Sequence, residues 1–343
     1  MTESTSHNPS RSKATVGNIV KAVVFLGVGF VFVYLFLIKL DASQKEAVWN
    51  SFAHADYWWV GCTMGTCLLS HFVRAMRWRL LYEPLGYRPG LNNVFGSVLV
   101  AYLANLAFPR LGEVLRCATL RTSDGIPVEK SLGTVVTERC VDILAFGVVV
   151  LLGLMCMYGQ AREWLVEALS AKSGNLTGTA VVLGVVIVAL VGCVLLYRLL
   201  RPRLIKYKAF RKVDGIVQGG VGGLKSIFRL KPRNIVLFVV YSCLIYLLYI
   251  VGGLFILRAL PETATLGFGA AFVVYLFGSV GMTISQGGLG AYPVLVWQAL
   301  ALYGVSETVG LAAGWLLWGS QQVVLLVVGT VYIIYFSLKK NSR

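Results

Sequence analysis

Asn105-Leu-Ala-Phe-Pro109-Arg110-Leu-Gly112-Glu113-Val-Leu-Arg116 sets a proline, a glycine and three ionisable residues inside apolar sequence. The chain is 57% hydrophobic with a mean hydropathy of +0.75, so most of it belongs in lipid. A hydrocarbon core offers the backbone no hydrogen bonds. A broken, charged segment at that depth must be buried in protein or line a wet cavity. Charge inside a membrane is costly and marks a functional site. The competing reading is a cytosolic loop between two spans. Against it, apolar stretches run up to both sides of the motif and no polar linker flanks it.

Working outward, apolar windows of about 20 residues recur, the length a helix needs to cross a ~30 Å hydrocarbon core. Six full spans are expected, at 17–38, 57–81, 131–158, 176–200, 234–257 and 308–337. Residues 1–16 read as a disordered tail. The apolar run after Lys21 is longer than a signal-peptide core and lacks a small-x-small cleavage site, so it is expected to be retained as the first helix.

The formal net charge is +16. Basic residues concentrate between the fourth and fifth spans, where the 201–233 loop carries ten lysines and arginines against the single acid Asp214. Such a loop belongs on the cytoplasmic side, facing anionic headgroups. Lys339, Lys340 and Arg343 fall on the same side, as do Arg11 and Lys13. Both termini are then cytoplasmic, as six spans require, in a multi-pass protein of the cytoplasmic (inner) membrane. The charge has no aromatic-interleaved basic groove, which argues against nucleic acid as a partner. The seven cysteines are odd in number and form no C-x-x-C, so they read as small buried apolar residues. Three scattered histidines give no material for a metal site, and no cofactor is expected.

Two apolar regions remain, 91–122 and 266–303. Making either one an ordinary span would put the basic loop outside. Each has a glycine break near its middle. Both are therefore expected to be re-entrant helical hairpins, the first from the cytoplasm and the second from outside. The result is an all-α polytopic protein with a first half at 17–158 and a second at 159–343. The two halves form an inverted repeat, an architecture that places a transporter's site at the repeat interface. Pro109-Arg110-Leu111-Gly112 echoes Gly287-Gly288-Leu289-Gly290 in the other hairpin.

Arg74-Ala-Met-Arg77-Trp78-Arg79-Leu80-Leu81, then Asn105 through Arg116, then Glu138-Arg139-Cys-Val-Asp142, then Gln286-Gly-Gly-Leu-Gly290 form a series of motifs. The series resembles that of the flippase-like membrane domain of lysyl-phosphatidylglycerol synthase, over nearly the whole chain. In that enzyme the domain is thought to translocate an aminoacylated lipid made by a separate soluble domain. The 343 residues are expected to be used up by the membrane part. The second hairpin departs from the family pattern. Gln286 stands where a proline is usual, and Ala291-Tyr292-Pro293 supplies no acid.

Residues three and four apart share a helix face. Arg74, Arg77 and Trp78 are thus expected on one face near the cytoplasmic end of the second span. Glu138 and Asp142 stand at i, i+4 around Arg139, and Glu113 faces Arg116 at i, i+3. The expected cluster sets Arg74, Arg77, Arg110, Arg116 and Arg139 against Glu113, Glu138 and Asp142. Arginine's planar fork binds phosphate bidentately, and a lipid phosphate is the natural anion at this depth. Mutual pairing that merely staples the helices is the structural alternative. Pro109, Gly112, Gly287, Gly288 and Gly290 break the helices, and helix N-termini with free N–H groups bind anions. Asn105 and Gln286 complete the expected substrate-binding set.

The expected function is translocation of an anionic phospholipid or a polyprenyl-phosphate-linked glycan. Two alternatives stand beside it: a membrane-embedded glycosyltransferase or phosphatase using Glu113, Glu138 or Asp142 as base, and a non-transporting scaffold for a lipid-synthesis complex. Gly220-Val-Gly-Gly-Leu-Lys225-Ser226 fails as a phosphate loop because leucine precedes the lysine, and no H-E-x-x-H or G-x-S-x-G is present. The sequence sets no oligomeric state; a homodimer is compatible with it.

Overall fold

A computed structural model of the chain describes residues 42–107, 111–156 and 230–341. Among the described residues all regular structure is helical, in nine α-helices and three short 3-10 turns. The tail, the spans at 17–38 and 176–200, the 159–175 loop, most of the 201–233 loop, Pro109 and Arg110 lie outside the described residues. The chain divides into two compact units, one formed by residues 1–135 and 229–343 and the other by Val136–Phe228.

In the first unit α1 (Ala42–His54) precedes α2 (Tyr57–Leu80). The segment 39–56 was expected as a plain loop, yet most of it is helix α1. Its run Ala42-Ser-Gln-Lys-Glu-Ala-Val holds no glycine or proline and has several good helix formers. It is too polar to register as a span. Asp56 caps α2, its carboxylate accepting the Trp58 N–H at 2.9 Å. The Asp56 N–H in turn donates to the Ala259 carbonyl at 2.9 Å. That bond ties the start of α2 to the end of α6 (Pro232–Ala259). These two helices run antiparallel in close contact. The Thr63 hydroxyl donates to the Gly252 carbonyl at 3.1 Å. A Cβ on Gly252 would sit 2.8 Å from Thr66 Oγ1, so glycine is what permits the approach.

Between them the chain forms a first hairpin, α3 (Leu91–Ala107) and α4 (Leu111–Asp124). Next comes α5 (Val128–Cys156), which carries on into the second unit after Val135. A second hairpin, α7 (Phe268–Ile284) and α8 (Ala291–Ala301), leads into the 35-residue α9 (Glu307–Asn341). The expected spans and hairpins thus begin and end within a few residues of observed helices wherever these are described. Helix α6 and residues 307–339 of α9 are each long and apolar enough to cross a membrane. Exposed Val236, Val239 and Val240 on α6, and Val323, Val327 and Val331 on α9, form the apolar surface such helices offer to lipid. By contrast α3 and α7, 17 residues each, span only ~26 Å at 1.5 Å per residue, short of a ~30 Å core.

Helix α9 is the spine for both hairpins. Its first half receives the second hairpin: a Cβ on Gly310 would lie 2.9 Å from the Trp297 ring, and one on Gly314 2.6 Å from Pro293 Cα. Its second half receives the first. A Cβ on Gly329 would lie 3.1 Å from Leu103, and the Tyr332 hydroxyl donates to Asn92 Oδ1 at 2.6 Å. The open end of the first hairpin is closed by Asp124, which accepts from Gly90 N–H and Asn93 Nδ2, each at 3.0 Å. Lys339 donates to Asn93 Oδ1 at 3.0 Å. Two hairpins therefore cover opposite halves of one helix, with their tips towards its middle.

Candidate functional site

Three arginines are buried in the first unit. Arg74 and Arg77 come from the last two turns of α2, and Arg116 from the second turn of α4. Relative exposure is 8% for Arg74, 1% for Arg77 and 4% for Arg116, so these charges do not reach out to water as surface arginines do. Each guanidinium lies against an aromatic face. Arg74 is 5.7 Å from the Tyr102 ring centroid, Arg77 5.3 Å from Phe238, and Arg116 4.5 Å from Trp78. The negative face of a ring stabilises a cation without neutralising it. Arg74 Nη2 also donates to the Tyr249 hydroxyl at 3.1 Å, and Arg77 Nη1 to Ser242 Oγ at 3.1 Å.

The i, i+3 and i+4 spacing of Arg74, Arg77 and Trp78 divides into two directions. Both arginines bond to side chains of α6. Trp78, fully buried, turns to α5, where its Nε1–H donates to Thr134 Oγ1 at 2.9 Å, and to the Tyr82 ring at 5.4 Å. Trp78 thereby holds Arg116 by its face while fixed at its edge. The partners Tyr102, Tyr249, Ser242 and Phe238 were not legible in the sequence. Tyrosine, serine and phenylalanine in an apolar span read as ordinary packing. Beside this cluster His71 is buried against Tyr102, ring centroids 4.6 Å apart.

The tip of the first hairpin is tied across its break. Asn105 Oδ1 accepts the Gly112 N–H at 2.8 Å. This N–H belongs to the first turn of α4, so the amide satisfies one of the donors expected to face an anion. Gly112 lies so close to α3 that a Cβ there would stand 2.0 Å from the Ala101 carbonyl oxygen. Glu113 is partly buried one residue further on.

The second tip is built differently. Gly287, Gly288 and Gly290 take φ of 63°, 78° and 75°, the left-handed region where side chains are strained. Gln286 contributes its backbone to the same turn. Trp318 Nε1–H of α9 donates to the Gly287 carbonyl at 2.7 Å. A Cβ on Gly287 would stand 3.2 Å from Leu106 Cδ2, so the second tip meets the end of the first hairpin's leading arm.

The second unit holds the remaining expected residues. Glu138, Arg139 and Asp142 lie on α5, with Glu138 buried and Asp142 one turn beyond it on the same side. Among the described residues no group of three or more histidines, cysteines and acids could hold a metal ion.

Residues 20–329 match the family described as Lysylphosphatidylglycerol synthase TM region. Over 170 residues the chain is 26% identical to Glycosyltransferase AglD of Haloferax volcanii, a stretch that covers 46% of this chain and 27% of that protein. No solved structure matches.

Proposed function

We propose that this chain, which belongs to the lysylphosphatidylglycerol synthase transmembrane-region family, moves an anionic lipid headgroup across the membrane in which it is embedded. The observation that carries the reading is the buried trio Arg74, Arg77 and Arg116, held on aromatic faces and hydroxyls. The guanidinium's planar fork of donors fits a phosphate bidentately. Arg110, Glu113, Glu138, Arg139 and Asp142 also serve transport in this reading. The acids orient the arginines or take up a coupling proton.

In the same reading the two hairpins are re-entrant. The first dips in from the cytoplasmic side and the second from the outer side, as the halves of an inverted repeat with both termini cytoplasmic. Support comes from their packing on opposite halves of α9, their short arms and the contact of their tips. A headgroup then has only the tip junction to pass, rather than a full bilayer thickness.

The test is transport by purified protein in vesicles carrying trace acyl-labelled phosphatidylglycerol, read by quenching of the outer leaflet. Wild type is expected to equilibrate the label. Arg116→Ala is expected to slow it at least ~10-fold, the effect of losing about one charged hydrogen bond, while eluting as folded protein. Wild-type rates in a folded Arg116→Ala variant would remove the site from this role.

A second reading, a membrane-embedded glycosyltransferase, is favoured by the match to a protein named Glycosyltransferase AglD. It requires sugar transfer from a nucleotide sugar to a lipid phosphate by the purified chain alone. The transport reading expects no such product.

A further inference from the structure

One buried polar side chain lies on α9 between its contacts to the two hairpins, and none of the motifs includes it. Gln322 sits in the middle of α9 and is 5% exposed, and among the described residues neither its Nε2 nor its Oε1 has a hydrogen-bond partner. A buried amide left unsatisfied is costly, so its retention calls for an explanation.

Its place supplies one. At 100° per residue, Gly314, Trp318, Gln322 and Gly329 fall on one strip of α9. Three of the four are contacts to the hairpins. Gly314 meets Pro293 of α8, Trp318 holds the Gly287 carbonyl at the second tip, and Gly329 meets Leu103 of α3. Gln322 is one turn beyond Trp318, between the last contact to the second hairpin and the first contact to the first. The second tip, held by Trp318, also meets Leu106 of α3 at Gly287. Buried Leu311 and Leu325 share the strip, so Gln322 is its polar member.

We infer that Gln322 is a binding residue for the lipid phosphate at the tip junction, the intermediate station between the arginine cluster and the far side. The inference rests on the transport reading and adds a residue and a stage to it. An amide offers two N–H donors and one acceptor, and no charge. It hydrogen-bonds phosphate oxygens through its N–H groups without the deep trap that a buried arginine would make. Conduction needs sites favourable enough to enter and weak enough to leave. A neutral donor on α9 between the two hairpins, after a cationic site, follows that rule.

The experiment compares full-length wild type, Gln322→Leu and Gln322→Asn in vesicles. It is run with acyl-labelled phosphatidylglycerol and, separately, with a labelled polyprenyl-phosphate sugar, and the lipid that moves identifies the source of the phosphate. Leucine is close in volume and removes the unsatisfied amide, so Gln322→Leu should melt at or above the wild-type temperature. It should nevertheless move the lipid at least ~10-fold more slowly, and Gln322→Asn should recover part of the rate. Stability and transport moving in opposite directions is the signature that a packing role would not give. Wild-type transport by Gln322→Leu overturns the inference and leaves the transport reading standing. Lost transport with a clearly lowered melting temperature also overturns it. If wild type moves neither lipid, the transport reading fails. Equal affinity of wild type and Gln322→Leu for both labelled lipids in detergent then overturns the inference as well, and a weaker affinity in the variant upholds it as a lipid contact.

Discussion

The two hairpins share a plan and differ in chemistry. In the first, α4 carries Glu113, Arg116, Arg121 and Asp124 in 14 residues. In the second, neither α7 nor α8 has a charged residue. One tip is tied by a side chain across the break, Asn105 to Gly112; the other by the spine, Trp318 to Gly287. The first hairpin carries charge beside α2, with Arg116 on the face of Trp78, and the second is apolar with a turn of left-handed glycines.

The comparison is broken most severely at the close approach in the first hairpin. Gly112→Ala drives a Cβ to 2.0 Å from a backbone oxygen that cannot move without shifting α3. Overpacking of this kind costs on the order of 3 kcal/mol or more. The variant is expected to lose most folded yield, read by size exclusion in detergent. Gly290→Ala in the second tip meets no atom within 4 Å and bears only the cost of its φ of 75°. That cost is about 1–3 kcal/mol, read as a fall in melting temperature with folded yield kept. Equal losses from the two would mean that the tips are held alike.

Removing the ties tests them singly. Asn105→Ala and Trp318→Phe each delete one hydrogen bond at a tip, and each is expected to cost about 1 kcal/mol. Hydrogen exchange separates them. Asn105→Ala should speed exchange at the Gly112 N–H and leave 285–290 unchanged, whereas Trp318→Phe should loosen 285–290 alone. Exchange that spreads to both tips from either change would show that they open as one unit.

The smallest effect is expected away from the hairpins. Lys231 and Glu83 pair at 3.0 Å between the start of α6 and the turn after α2, but the lysine side chain is 75% exposed. Water screens such a pair, so Lys231→Ala should change stability by under ~1 kcal/mol. A larger loss would make this end part of the load that holds α2 against α6.

Much of this plan was legible in the sequence because lipid imposes a simple rule on it. Apolar length located the described helices after residue 57 to within a few residues, and Pro109 with Gly112 marked the first break. Helix α1 was hidden because its residues form helix by local propensity, without an apolar run to announce it. The arginines could be singled out by their cost in lipid. Their supports could not, because Tyr102, Tyr249 and Phe238 are ordinary apolar-span residues until the fold sets a guanidinium on them. Asn105 is placed in the substrate-binding set by the motif, and that its Oδ1 caps α4 was not legible there. Gln322 was passed over within an apolar window, although Ser320-Gln321-Gln322 is an unusual polar run for the centre of a spanning helix.

The central claim is that two hairpins enter from opposite faces and close one path between them. It is tested most directly by side-specific labelling of single cysteines in a cysteine-free background. One is placed at Tyr87, beside the open end of the first hairpin, and one at Glu262, beside the open end of the second. The account predicts that an impermeant thiol reagent added outside sealed cells labels position 262 and leaves 87 untouched until the membrane is permeabilised. Labelling of both positions from the same face would contradict it.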